Sequence, residues 1–478
     1  MYRLSQGRTL KAFPIAGGNL RNDKERRNAY YQCSNSFLRE NYRRFKDQIF
    51  RVVSDEPYIV IPPKYIDEVK FLLNDTDAIV EGIDEMNAAK YSTIYADNQE
   101  RNHIIKSQLA THLGKVVPDV ADELEYAFGI ELPPAKECTN ITLYPTIMRI
   151  VARLASRVFV GPELCRNEDW LRLSTAYTET SFNSIKAIKK YPSWLRPLMA
   201  YFTPEVMEVR KMIRDAQSIL EPVIRTRKEQ KSIPGYQAPN DMIQWVYDNM
   251  SPKQAANPLF QGHEQLIMAF TAFHTTTSAL VHTLYDLVAR PEYIEPLRDE
   301  MRHVLSENDG LLTNNSMEQL KKLDSFMKES QRFNPVDYAV VRRYTTHDMK
   351  LADGTLVPAR TYVRFATTAM HFDPENVPDP EKFDGFRFSK IRESCGGQGG
   401  RHQFASAAKT SMNFGYGKHA CPGRFFATME IKMILVALLL QYDISIVGEE
   451  GKRYSNLEHE TIVRPDPTKE IGIKWIAT

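Results

Sequence analysis

The stretch Phe414–Phe425, FGYGKHACPGRF, decides the fold of this 478-residue chain. It joins closely spaced glycines and one cysteine to an apolar run, Phe425–Tyr442, whose composition predicts a helix. A cysteine placed just before a helix lies near partial positive charge and backbone N–H groups, which favour the thiolate form that binds metals. Gly417 and Gly423 allow the backbone to pass close to a flat, bulky ligand. The stretch therefore predicts a metal-binding thiolate at Cys421.

The composition is typical of a globular protein with a large core. Hydrophobic residues make up 42% of the chain and charged residues 26%. Lysine and arginine total 62 against 60 acidic residues, a net charge of +2, which excludes a global field that steers the chain onto nucleic acid. The five cysteines are odd in number and lack CxxC spacing, which argues against a disulfide framework or a zinc site.

The pattern along the chain predicts a mainly helical first part and a small sheet after it. Residues 98–325 show helical periodicity, and Leu266–Ala289 reads as a long buried helix rather than a membrane span. Residues 339–364 partly alternate apolar and polar side chains around Asp353-Gly354, a dipeptide typical of a tight hairpin turn. Because no repeat or clean linker divides the chain, one large unit is the simpler interpretation.

With these residues in view, the cysteine stretch resembles the cytochrome P450 signature FxxGx[RH]xCxG, whose fixed positions are filled by Phe414, Gly417, His419, Cys421 and Gly423. The resemblance implies a mainly α fold with small β-sheets and a haem b held between the long central helix and the cysteine loop. It implies that Cys421 is the axial thiolate ligand of the iron, that Phe414 shields the sulfur, and that His419 bonds a haem propionate.

Two further segments support the resemblance. Glu329-Ser-Gln-Arg332 places both charges on one helix face, although an isolated ExxR is usually a solvated ion pair. Phe383–Phe388, which contains Arg387, looks like the family's PERF-like segment. The resemblance implies that Glu329, Arg332 and Arg387 form a buried network with a structural role.

The middle of the long helix, Thr271–Ser278, matches the family's oxygen-activating stretch [AG]Gx[DE]T[TS] with two departures. Thr271-Ala272 replaces the small-glycine pair, and His274 replaces the usual acid. The resemblance assigns Thr275 to positioning the proton donor, with Thr276 beside it. It implies a proton route that uses histidine and water in place of a carboxylate; simple packing of a threonine-rich patch is the alternative.

By position, Arg342 or its neighbour Arg343 resembles the family's propionate-binding arginine, and the sequence does not decide between them. Lys106 stands where the family often has an arginine on an early helix, so it either holds a propionate or is a solvated surface lysine.

Family resemblance also assigns a substrate pocket, to which the loops around Glu81–Thr93 contribute. Most of its residues are apolar, which suits a bulky lipophilic substrate, whereas Asp337 and Tyr338 could orient a polar group. The pocket residues are Ala272, Phe273, Val336, Asp337, Tyr338, Ala339, Val340, Ile462 and Val463. The chain resembles fungal secondary-metabolism members such as ent-kaurene oxidases and steroid hydroxylases, which suggests a terpenoid, steroid or alkaloid substrate.

The resemblance implies partners and a location as well. We expect O2 as co-substrate, electrons from NADPH through a cytochrome reductase, a contribution from cytochrome b5, and a place on the cytosolic face of the endoplasmic reticulum membrane. Residues 1–20 look like a hinge that follows an N-terminal anchor missing from this sequence, and residues 21–478 are expected to form a single catalytic domain.

Two alternatives to hydroxylation stay open on the sequence. A haem-thiolate enzyme of the same fold can couple, close rings or desaturate without inserting oxygen. A non-catalytic haem-binding carrier is favoured if the unusual stretch Thr271–His274 cannot deliver protons.

Overall fold

The computed structural model describes residues 10–72, 84–95, 99–394 and 399–476. The α-helices, numbered in chain order, are α1 Asp23–Gln32, α2 Ser34–Arg44, α3 Ile66–Leu72, α4 Ala89–Ser92, α5 Gln99–Ile104, α6 Ala110–Glu131, α7 Leu143–Phe159, α8 Glu168–Lys189, α9 Arg196–Met199, α10 Pro204–Gln230, α11 Met242–Asn249, α12 Pro252–Ala255, α13 Pro258–Val288, α14 Ile294–Ser306, α15 Asn314–Gln319, α16 Lys321–Phe333, α17 Thr367–His371, α18 Arg387–Ser394 and α19 Arg424–Gln441. A π-helical turn, Ile105–Leu109, links α5 to α6.

The strands are short, as expected for a mainly helical chain. They are β1 Phe50–Val52, β2 Tyr58–Val60, β3 Thr139–Thr142, β4 Arg343–Tyr344, β5 Met349–Lys350, β6 Leu356–Val357, β7 Tyr362–Arg364, β8 Tyr442–Ile446, β9 Asn456–His459, β10 Ile462–Pro465 and β11 Glu470–Trp475. The mainly α fold with small sheets is therefore confirmed.

The chain forms two compact units, and the first comprises Met1–Met86, Asp324–Cys421 and Ser455–Asp466. Its main sheet has the order β1-β2-β7-β4, in which β2 and β7 run parallel and the other pairs antiparallel. Apolar residues on these strands, Ile59 and Val363 among them, are buried and form the core of the unit. The antiparallel pair β5–β6 turns at Asp353-Gly354, with Gly354 at φ +85°, so the predicted hairpin is confirmed.

The second unit comprises Asn87–Leu323, Pro422–Tyr454 and Pro467–Thr478. Its centre is α13, which begins at Pro258 after Asn257, whose side-chain oxygen accepts from the N–H of Leu259 at 3.0 Å. Helices α7, α8 and α10 pack against it. Gly262 allows the close approach of α10, because a β-carbon there would lie 2.9 Å from the backbone nitrogen of Gln217.

The predicted buried helix over Leu266–Ala289 is thus confirmed within α13, and the predicted helix over Phe425–Tyr442 is confirmed as α19. A three-stranded antiparallel sheet, β3-β11-β8, lies in the same unit. Among the described residues, none of the helices combines the length and the apolar character that crossing a bilayer requires.

The expected hinge over residues 1–20 lies partly outside the described residues, since the description starts at residue 10. Further along, the chain pairs with β1: Arg51 donates its N–H to the carbonyl of Pro14, and Ala16 donates to the carbonyl of Arg51, both at 2.9 Å. The domain bounds expected from the sequence stay a prediction.

Candidate functional site

The cysteine stretch folds into a closed turn. The N–H of Cys421 donates to the carbonyl of Phe414 at 2.7 Å, and Gly415 and Gly417 take left-handed φ values of +77° and +71°. The left-handed φ of Gly415 favours glycine, whereas space does not, since a β-carbon there would lie in ordinary contact, 3.4 Å from the Cα of Ala420. The turn leaves the half-buried Cys421 just before α19, whose first residue follows Gly423.

The aromatic residue at the start of the turn packs within the first unit. The ring of Phe414 meets that of Phe404 edge to face, with centroids 5.4 Å apart. Met412 is fully buried and accepts the N–H of Gly415 at 2.7 Å. His419 is half-buried at the far side of the turn. Apolar packing and backbone bonds therefore hold this turn in one conformation.

The structure brings Glu329, Arg332 and Arg387 together. Glu329 is fully buried and accepts from Arg332 at 2.8 and 2.9 Å and from Nε of Arg387 at 3.3 Å. Arg332 also donates to the carbonyl of Pro380 at 2.7 Å, and Arg387 to that of Lys382 at 2.7 Å. The network ties α16 to the segment before α18.

The sequence reasoning missed two further anchors on the same helix. Lys328 is buried and donates to the carbonyl of Gln403 at 2.9 Å and to the hydroxyls of Ser406 and Ser411 at 2.8 Å, and burial lowers the pKa of its ammonium to about 8. Asp324 accepts the N–H of Phe404 at 2.9 Å. The spacing of Asp324 and Lys328, one turn apart beside the ExxR pair, was the available signal.

The two neighbouring arginines have different surroundings. Arg342 forms an ion pair with Asp337. Arg343 is half-buried, donates to the carbonyl of Arg342 at 2.8 Å and contacts no carboxylate within the described ranges; burial lowers its pKa to about 10. The residue before them, Val341, has φ +60°, a strained conformation for a β-branched side chain.

The predicted pocket residues of the first unit come together along two backbone segments. The N–H of Val463 donates to the carbonyl of Val336 at 3.0 Å, and the backbones of Asp337 and Ile462 form an isolated antiparallel β-bridge. Ala339 and Val463 are fully buried, and Val340 is half-buried. Of the loops expected around Glu81–Thr93, residues 81–83 lie outside the described residues.

The two polar residues of that pocket contact neighbouring protein groups. The hydroxyl of Tyr338 donates to Glu458 at 2.6 Å. Asp337, besides its ion pair with Arg342, accepts the N–H of Ala339 at 2.8 Å. These contacts hold both side chains within the first unit.

The threonines of α13 divide between exposed and buried positions. The exposed Thr275 donates its hydroxyl to the carbonyls of Thr271 at 2.8 Å and Ala272 at 3.3 Å. Thr276 is buried. Phe273 is also buried and stacks on Phe159, with centroids 6.3 Å apart and planes 1° from parallel. Thr275 is thus a predicted catalytic residue whose hydroxyl is both bonded back to the helix and exposed.

The remaining predicted residues lie elsewhere in the second unit. Lys106 is exposed on the π-helical turn Ile105–Leu109. His274 turns toward α7 and α8, where it contacts Tyr144 at 3.2 Å and the carbonyl of Thr175 at 3.3 Å.

Comparison with known proteins agrees with this arrangement. The family model described as Cytochrome P450 matches residues 134–473. The chain is 38% identical to cytochrome P450 monooxygenase BOA4 of Botryotinia fuckeliana, over 94% of this chain and 88% of that protein. It is 36% identical to cytochrome P450 monooxygenase braC of Annulohypoxylon truncatum, over 97% and 92%. It is 34% identical to ent-kaurene oxidase P450-4 of Gibberella fujikuroi, over 92% and 87%.

A solved structure shares the fold. The retinoic-acid-bound cyanobacterial CYP120A1 superposes with a TM-score of 0.67 at 19% identity, covering 92% of this chain and 94% of that one. The fold and the sequence matches together define a haem-thiolate oxidase class. The chain belongs to the cytochrome P450 family and is one of its monooxygenases.

Proposed function

We propose that this protein oxidises a bulky lipophilic secondary metabolite, with Cys421 as the axial ligand of a haem iron. The observation that carries the proposal is the closed turn from Phe414 to Cys421, in which a 2.7 Å backbone bond holds the cysteine just before α19. The positive end of that helix favours a thiolate, the form in which cysteine binds iron.

The residues of the first unit fit the group that the family implies. Cys421 supplies a soft sulfur donor, and Gly415 and Gly417 give the turn its compact course. A haem also carries two propionates, and Arg343 offers a half-buried cation that contacts no carboxylate in the described part of the chain. We therefore assign the propionate contact to Arg343, since the guanidinium of Arg342 is already paired with Asp337.

When bound, the haem would supply the activation of O2 and the transfer of one oxygen atom to carbon. The chain's own residues have other tasks. Thr275 holds a proton on an exposed hydroxyl and can release the helix carbonyls of Thr271 and Ala272 to bond water instead. Phe414 limits the access of water to the sulfur, which affects the reduction potential.

The experiment that tests the ligand is the spectrum of the reduced protein with carbon monoxide. We expect the red-shifted absorption of a thiolate-ligated ferrous haem in the wild type and its loss in Cys421→Ser. Cys33→Ser, at an exposed cysteine in the same unit, is the matched control and should keep the band. A wild-type protein that is folded, contains haem and lacks the band would overturn the proposal.

We propose a terpenoid, steroid or alkaloid as the substrate. The similarity to an ent-kaurene oxidase supports a terpenoid, and the apolar residues of segments 336–340 and 462–463 suit a lipophilic ligand. A panel of these compounds should include one that shifts the haem spectrum at micromolar concentration. Turnover of that compound under labelled O2 distinguishes hydroxylation, which retains the label, from coupling or desaturation, which does not.

We further propose that electrons arrive from NADPH through a cytochrome reductase, with cytochrome b5 as a second donor. Product should form only when reductase and NADPH are both present, and added cytochrome b5 should raise the rate. A protein that binds substrate and haem but forms no product under these conditions would be a carrier.

A membrane location is supported by an apolar surface between α8 and the start of α10. Five large apolar side chains there are between 52% and 77% exposed: Trp194, Leu198, Tyr201, Phe202 and Met207. Basic residues flank them, among them the exposed Lys186 and Lys190. This apolar surface, which we call the 194–207 patch, complements an anionic bilayer surface in both hydrophobicity and charge.

Flotation with vesicles tests the membrane proposal. The protein should float with vesicles that contain phosphatidylserine and less with pure phosphatidylcholine. Trp194→Ser combined with Phe202→Ser should weaken flotation, whereas Leu311→Ser, at an exposed leucine outside the patch, should not. Equal flotation of both variants would exclude the 194–207 patch as the contact.

A further inference from the structure

His274 on α13 has both ring nitrogens engaged with other helices. Nδ1 lies 3.2 Å from the hydroxyl of Tyr144 on α7, and Nε2 lies 3.3 Å from the backbone carbonyl of Thr175 on α8. A carbonyl oxygen only accepts, so Nε2 must carry the hydrogen in this contact. In a neutral ring Nδ1 then accepts from the hydroxyl of Tyr144. This pattern of bonds assigns one tautomer to the imidazole.

We propose that His274 is a positioning residue that holds α7 and α8 against α13 through these two hydrogen bonds, which we call the His274 pin. It is not a proton donor in the reaction. A ring whose two nitrogens bond Tyr144 and Thr175 has no nitrogen left to bond a water chain without breaking one of these contacts. Proton delivery is then left to the Thr275 hydroxyl and water.

The choice of residue at this position follows from the two contacts. A carboxylate has no hydrogen to donate to the carbonyl of Thr175, so the acid expected here in the family could not make the α8 contact. A histidine donates at one end of its ring and accepts at the other, and can therefore link a carbonyl and a hydroxyl on two different helices. The departure at His274 from the family pattern has a structural cause.

The apolar contacts between α8 and α13 do not by themselves fix the position of α8 along α13. Phe270 packs against Tyr177 and Phe182, with centroids 6.5 and 5.4 Å apart. Such contacts are non-directional and tolerate sliding, whereas the two hydrogen bonds of His274 specify how far each helix is shifted along α13. We therefore expect the pin to determine the register of α8, the helix that leads into the 194–207 patch.

Hydrogen exchange of the holoenzyme tests the pin with three variants. His274→Phe keeps a flat ring without hydrogen bonds, Tyr144→Phe removes only the hydroxyl, and His274→Asp introduces an acid. We expect amides of α7 and α8 near the contacts to exchange about five- to tenfold faster in His274→Phe and His274→Asp. Tyr144→Phe should raise the exchange rates in α7 more than those in α8. His303→Phe, at an exposed histidine of α14, should leave these rates unchanged.

The ratio of product formed to O2 consumed, measured beside the exchange rates, separates the pin from a proton relay. If His274 relays protons, His274→Asp should keep the normal ratio and His274→Phe should lower it. If His274 is only a pin, the ratio should not depend on whether residue 274 can ionise, and His274→Asp should exchange at least as fast as His274→Phe. Wild-type exchange in His274→Asp would overturn the proposal.

If His274→Phe does not fold, the test rests on Tyr144→Phe. Wild-type exchange rates of the α7 amides in Tyr144→Phe would exclude a role for the hydrogen bond between Tyr144 and His274. The proposal concerns the site of the proposed function, but the exchange measurement needs no turnover. Absence of the carbon monoxide band would therefore not affect the proposed role of His274. Exchange rates that contradict that role would not affect the assignment of Cys421 as the haem ligand.

Discussion

Arg332 donates two hydrogen bonds to Glu329, at 2.8 and 2.9 Å, from one helical turn further along α16. The Glu329 carboxylate also accepts from Arg387, so one buried anion balances two arginines. Because both oxygens accept hydrogen bonds and Glu329 and Arg332 are buried, these residues form a buried ion-pair network whose contribution to stability depends on every member.

Removing the anion from this network should be strongly destabilising. Glu329→Gln leaves two arginines without a counter-charge in the core, and breaking a buried pair in this way costs about 3–5 kcal/mol. The measurement is the free energy of unfolding in urea. Glu381→Gln is the control, because Glu381 pairs with Arg39 at the surface, where such a pair contributes about 1 kcal/mol or less. Equal losses in the two variants would contradict the assigned network.

Substitution of Arg343 should weaken haem retention. Arg343→Met removes a cation that has no carboxylate partner in the described ranges, so a bound propionate would lose a charge-assisted bond. We expect transfer of haem to apomyoglobin to become about tenfold faster. Arg464→Met, at an exposed arginine of β10, is the control. If Lys106→Met accelerates the transfer and Arg343→Met does not, the propionate contact belongs to Lys106.

Loss of the Thr275 hydroxyl should uncouple oxygen consumption from product. General acid contributions are about 10²-fold or more, so even a partly compensated loss should lower product per O2 severalfold and raise hydrogen peroxide. Thr275→Ser keeps the hydroxyl and should stay coupled. Thr283→Ala, which removes a similar back-bond to a helix carbonyl at 2.8 Å, should also stay coupled. Uncoupling in all three variants would indicate a general disturbance of α13.

The segments that could be predicted from the sequence are those governed by local rules. The helix α13 follows from a long apolar run, and the turn at Asp353-Gly354 from the φ values that this dipeptide permits. The pairing of Glu329 with Arg332 follows from a spacing of three on a helix. In each case, the partners lie within a few residues of one another.

The features that were missed depend on partners distant in the chain. Lys328 bonds Gln403 and two serines, and although its spacing from Asp324 suggests a shared helix face, neither a carbonyl nor a hydroxyl marks these partners in the sequence. The parallel pairing of β2 with β7 joins segments whose separation no local rule specifies. The direction of His274 required the positions of α7 and α8. The proposed preference for Arg343 over Arg342 rests on a nearer partner, Asp337, whose ion pair with Arg342 the sequence alone does not reveal.

A pH-dependent stability is expected from Glu430 on α19. The side chain is fully buried and both carboxylate oxygens have no hydrogen-bond partner within the described residues, so burial holds the pKa of the Glu430 carboxyl well above its usual range. In the unfolded chain the same group ionises at its ordinary pKa. The folded state therefore holds one more proton above that value, and stability falls as the pH rises until the folded-state pKa is reached.

Replacing Glu430 by glutamine should remove this dependence, because the amide has the same shape and does not ionise. At about pH 4 the two proteins should unfold at similar temperatures. Toward pH 8 Glu430→Gln should become the more stable, by about 1 °C for each kcal/mol of relieved desolvation, because the unfolding entropy of a chain this long is large. Calorimetry across this range measures the difference. Glu449→Gln, at an exposed glutamate paired with Lys452, should show no such trend. A constant difference between wild type and Glu430→Gln at all pH values would mean that the pKa of the Glu430 carboxyl is the same in the folded and the unfolded chain.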